Sequence, residues 1–117
     1  MKPVDKKELK NAYKQMKPQM GVFTVRNINN QKCFIEASND IQSMFNRIRF
    51  QLGMGMHPCK PLQEDWNKNK EQSFSFEVLD TLSYSKDESK TDYKEELKLL
   101  KTLWIEKLTK EDSENLY

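Results

Sequence analysis

The apolar residues of this chain fall into separated runs, each with its own period. Leu9, Ala12, Tyr13 and Met16 recur at helical spacing with lysines around them, which predicts one apolar helix stripe. Asp5 and Glu8 have capping-box spacing ahead of it, and Pro18 marks its end. Residues 21–27 and 32–37 are β-rich, and Asn29-Asn30 supplies turn chemistry between them, so the pair predicts a hairpin. Ser38 or Asn39 is placed to cap a second helix, whose stripe is Ile41, Met44, Phe45, Ile48 and Leu52. Gly53 suits the end of that helix. GMGMHP then reads as a Met-rich loop. Pro61, Leu62 and Trp66 predict a short helix over 61–70. Phe74, Phe76 and Val78 alternate strictly and predict a strand over 73–79. SYSKDESKT, residues 83–91, is a polar loop. Asp92 and Glu95 repeat the capping-box spacing, and Leu97, Leu100, Trp104 and Leu108, with Leu99 and Leu103, drive a last amphipathic helix. EDSENLY reads as a frayed tail.

The order α-β-β-α-α-β-α predicts an α+β domain: a small, mainly antiparallel three-stranded sheet flanked by helices. Residues 1–19 form an amphipathic helical extension, 20–108 the domain, and 109–117 the frayed tail. A length of 117 residues suits one modest core.

Composition narrows the function classes. No run of about 18 apolar residues exists, so no membrane span is expected. MKPVDKKELK has no apolar stretch behind its lysines and is not a secretory signal, which leaves the cytoplasm as the default. Cys33 and Cys59 lack partners at metal-site spacing, and His57 alone cannot complete a zinc tetrahedron, so both read as free thiols. The net charge of +2 hides an asymmetry: residues 1–20 carry +4, residues 21–60 carry +3 and residues 61–117 carry −5. A basic front half either attracts phosphate or is simply a solvated face.

The hairpin carries the most specific signal. Gly21-Val22-Phe23 opens its first strand and Phe34-Ile35-Glu36 lies in its second. The stretch LGMGMHPCKPLQEDWNKNKEQSFSFEVLD and the helix LKLLKTLWIEKL follow in order. This ordered set resembles the GIY-YIG nuclease superfamily over residues 20–108. The resemblance implies an α+β nuclease fold. It also implies a tyrosine in each signature, an arginine on the core helix, and a metal-holding glutamate on the last helix, acting together in phosphodiester cleavage.

At those positions this sequence carries Phe23, Phe34, Met44 and Lys101, with Glu36 in place of the signature glycine and Ile48 where many relatives have a histidine. The two rings lack hydroxyls, and a protonated lysine cannot ligate Mg²⁺. The resemblance therefore predicts a degenerate domain without the usual catalytic residues and without a cofactor. Nucleic acid, DNA or RNA, would be held through Arg26, Arg47, Arg49 and His57 of the basic half. Two other readings stay open. One is a protein-interaction or self-associating module, suggested by Met54 and Met56. The other is an active endonuclease using Mg²⁺ or Mn²⁺ at a relocated site, with Glu36 as acid or metal ligand beside His57 and Arg47 on the phosphate.

Overall fold

The computed structural model describes residues 17–87, 89–110 and 116–117. The helical extension expected over residues 1–19 lies outside the described residues up to position 16.

Among the described residues, three strands and three α-helices follow one another: β1 (Met20–Asn27), β2 (Cys33–Ser38), α1 (Ile41–Gly53), α2 (Lys60–Asn69), β3 (Phe74–Leu82) and α3 (Lys94–Thr109). The sheet order is β2-β1-β3 and both pairings are antiparallel. The expected α+β architecture is the observed one. The hairpin turn is held by Asn27, whose carbonyl accepts from Gln31 N at 2.8 Å while its side chain accepts from Asn29 N at 3.0 Å. Such side-chain mimicry of a turn is why Asx residues cluster there.

Side chains alternate across a strand, so β1 feeds two layers. Phe23 and Val25 point toward α1 and α2, where they join Phe45, Ile48, Leu52, Leu62, Trp66 and Phe74 in the main core. Phe23 meets Phe45 edge to face, with ring centroids 5.1 Å apart, a geometry that aromatic quadrupoles favour. Met20, on the opposite face, packs with Tyr93 and Leu97 of the α3 layer, and Ala37 and Leu82 border them. Trp104 Nε1 donates to Asp80 Oδ2 at 3.1 Å and fixes α3 over β3.

Gly21 lies against β3, paired with Thr81. Its φ is +155°, and a Cβ built there would lie 2.0 Å from the Asp80 carbonyl oxygen. No L side chain fits that space, so packing alone requires glycine at this signature position.

Several local expectations shift. Asp40, not Ser38 or Asn39, caps α1: its carboxylate accepts from Ser43 N, and Ser38 Oγ accepts from Asp40 N. The Asp92–Glu95 capping box does not form. Tyr93 is the N-cap of α3 without a side-chain cap bond, while Asp92 Oδ1 accepts from Lys94 N. Leu116 and Tyr117 do not fray: Leu116 bridges to Cys33 in parallel, and Tyr117 packs against the main core. An apolar residue followed by a large aromatic can bury area that a purely polar tail cannot.

Candidate functional site

Glu36 stands directly opposite Phe23 in the β1–β2 pair. Paired residues project from the same face, so the carboxylate leaves the sheet beside the Phe23 ring. It does not enter the core. β2 is an edge strand, and the side chain reaches past that edge to α3, where Lys101 Nζ lies 2.8 Å from Glu36 Oε1. Both side chains are about one-third exposed, at 35% and 32%. Two hollows share Glu36 in their linings. One, of about 530 Å³, is lined by Phe34, Met44, Arg47, Gln51 and His57 together with Glu36. The other, of about 550 Å³, runs along α3 and includes Met44, Lys94, Lys98 and Lys101 with Glu36 and Asp92.

The structure thus brings together Phe34, Glu36, Met44, Lys101, Arg47 and His57, and it separates Arg26 and Arg49 from them. Arg26, on the α3 face of β1, pairs with Glu77 at 3.1 Å. Arg49 lies over the Phe76 ring, 4.3 Å from its centroid, and its Nε is 4.0 Å from a Glu71 oxygen. Each guanidinium thus has a partner on a neighbouring element of the fold. Arg47 has no salt bridge among the described residues and is exposed at the hollow.

His57 borders the same hollow. It is 7% exposed, and its ring packs edge-on against Phe34 with centroids 5.2 Å apart. Nδ1 accepts from Cys59 N at 3.0 Å, so the neutral ring carries its proton on Nε2. Burial lowers the imidazole pKa from its ordinary value. A ring kept neutral in this way is a packing group and a poor phosphate-binding cation. The backbone around it is fixed by Gln63, whose Oε1 accepts from His57 N and whose Nε2 donates to the Leu52 carbonyl.

At the signature positions, Phe23 is fully buried and Phe34 and Met44 are partly buried against the main core. Neither ring carries a hydroxyl to give or take a proton. A divalent ion, which the resemblance implies, needs several oxygen donors. Here the last helix offers the ammonium of Lys101, and the nearest carboxylate, Glu36, already accepts from it. Among the described residues no three His, Cys, Asp or Glu side chains are grouped to hold an ion. The residues of this site do not fit the metal.

Lys94 and Lys98 line the hollow and were not among the expected site residues. Their signal lay in the sequence: Lys94, Lys98 and Lys101 are spaced i, i+4, i+7 and so share one helix face. Among the described residues no helix is long and apolar enough to cross a membrane.

No protein-family model matches this sequence, and neither does any curated protein. Two solved structures match the fold. A mutant form of the catalytic domain of intron endonuclease I-TevI superposes with a TM-score of 0.68 at 22% identity, over 85% of this chain and 91% of that one. The catalytic domain of homing endonuclease I-TevI superposes with a TM-score of 0.66 at 23% identity, over 84% of this chain and 95% of that one. With its strands and helices in the same order, the chain has the GIY-YIG nuclease fold of these structures.

Proposed function

We propose that this chain is a GIY-YIG-fold domain that binds nucleic acid without cleaving it. The observation that carries the proposal is the Glu36–Lys101 ion pair at 2.8 Å. It puts a cation where the resemblance implies a metal-holding carboxylate, and a carboxylate where the signature glycine would leave room for a phosphate. With Phe23 and Phe34 unable to move a proton, the groups that activate water and stabilise a phosphorane are both missing. Losing one such group commonly costs about two to three orders of magnitude in rate.

Binding needs less. Arg47 on α1 and Lys94 and Lys98 on α3 border the two hollows. They would engage phosphates by charge, without reading sequence. The test is a salt titration of affinity for short duplex DNA and for RNA. Log affinity should fall linearly with log salt, and Arg47→Ala and Lys98→Ala should each flatten the slope by about one. No binding even at low salt would remove the proposal.

A second reading is favoured by a separate feature. Phe50, Met54 and Met56 are 63%, 61% and 60% exposed around the end of α1. Large exposed apolar side chains close in sequence suit a protein partner or self-association. Light scattering of the wild type against Phe50→Ser separates this reading from the first.

A further inference from the structure

β2 is an edge strand, and an edge strand presents unpaired N–H and C=O groups that natural proteins cover. Part of this edge is covered by the chain itself. Tyr117 N donates to the Cys33 carbonyl at 3.0 Å, and Leu116 forms a parallel bridge with Cys33. The phenol ring packs against the main core, and its hydroxyl enters a polar cup at the hairpin turn. There Tyr117 Oη donates to Asp65 Oδ2 at 2.7 Å and accepts from Asn27 Nδ2 at 3.0 Å. Asn27 itself is fully buried, and Asn27 and Asn30 also donate to the same Asp65 oxygen, at 3.3 and 3.2 Å. Lys32 Nζ sits 5.8 Å from the centroid of the Tyr117 ring.

These contacts are of three independent kinds: backbone pairing, ring burial and a hydroxyl held by both a donor and an acceptor. We propose that the outer edge of β2, with the Asn27–Asn30–Asp65 cup beside it, is a docking site for an extended Leu-Tyr peptide segment, held in cis by residues 116–117. Backbone pairing supplies part of the affinity, as in other cases where a strand is added to a sheet edge. The cup supplies selectivity, because a phenylalanine would leave Asn27 and Asp65 without their shared partner. The tethered segment acts at high effective concentration and keeps other strands off the edge.

The test uses a labelled EDSENLY peptide added in trans to the full chain. The Tyr117→Ala chain should bind it at least about tenfold more tightly than the wild-type chain, whose own segment fills the site. Replacing the peptide's tyrosine by phenylalanine, or adding Asp65→Ala to the Tyr117→Ala chain, should each weaken binding about tenfold. If Tyr117→Ala does not fold, the same two peptides are compared on the Tyr117→Phe chain, whose cis contact lacks only the hydroxyl. A folded variant that binds neither peptide, or binds both equally, overturns the proposal. A wild-type dimer that becomes monomeric in Tyr117→Ala overturns the cis assignment in favour of exchange between copies.

Discussion

Lys101 Nζ lies 2.8 Å from Glu36 Oε1, joining the last helix to the edge strand across 65 positions of sequence. The pair is partly solvated, so its net worth is small despite its short distance. Lys101→Ala and Glu36→Ala should each lower stability by less than about 1 kcal/mol. The exchanged variant, Glu36→Lys with Lys101→Glu, should recover most of that loss. Urea midpoints of wild type, the two alanine variants and the double variant Glu36→Ala/Lys101→Ala form the cycle that measures it, and the exchanged variant is compared with wild type separately.

Gly21 predicts a much larger effect. Gly21→Ala places a Cβ 2.0 Å from the Asp80 carbonyl at a φ of +155°. The two strands must part or the residue must abandon its backbone conformation, and such strain costs about 1–3 kcal/mol before any lost sheet pairing. Thermal unfolding should show a fall of several degrees or more, against almost no change for Gly53→Ala, where a Cβ meets nothing within 4 Å.

Phe23→Tyr restores the hydroxyl that the signature implies but places it in a fully buried setting. A buried hydroxyl without a partner costs about 1–3 kcal/mol. The variant should unfold earlier and gain no nuclease activity, as read by denaturation and plasmid nicking together.

His57 is the chain's one histidine, so its titration can be followed without overlap. Burial lowers its folded pKa below the unfolded value of 6.5. The unfolded chain therefore binds the proton more readily, and stability is fully present above about pH 6.5 and declines as pH falls below it. Denaturation midpoints at pH 7.5 and 5.5, an interval of about two units around that value, should differ in the wild type and converge in His57→Asn.

Tyr117 gives the opposite sign at the other end of the scale. Burial and the Asp65 carboxylate raise its phenol from 10.0 to about 12. The docked state keeps the proton, so its contribution is intact below pH 10 and is lost as pH rises through about 12. Ultraviolet difference spectra of wild type against Tyr117→Phe should show one phenolate appearing late.

The sheet and helices were legible because their signals are local. Phe74, Phe76 and Val78 alternate within five residues, and Ile41, Phe45, Ile48 and Leu52 repeat at one helical period. The second hairpin signature also marks the strand positions, Phe34 and Glu36, that line a hollow. What escaped the sequence depends on contacts between distant positions. Nothing local in Arg49 says that Phe76 lies under it, and nothing in a Met-rich polar loop says that His57 turns inward against Phe34. Tyr117 sits 90 positions from Asn27, with which it shares a hydrogen bond. The last polar residues outweighed it in the local pattern.

Binding of nucleic acid without cleavage is the function proposed for this GIY-YIG fold. The most direct test incubates the full chain with supercoiled plasmid and Mg²⁺ or Mn²⁺, at protein concentrations where a gel shift shows the DNA bound. The account predicts a shifted plasmid that stays supercoiled. Nicking or linear product that disappears in Glu36→Ala or Arg47→Ala would contradict it and establish a relocated active site.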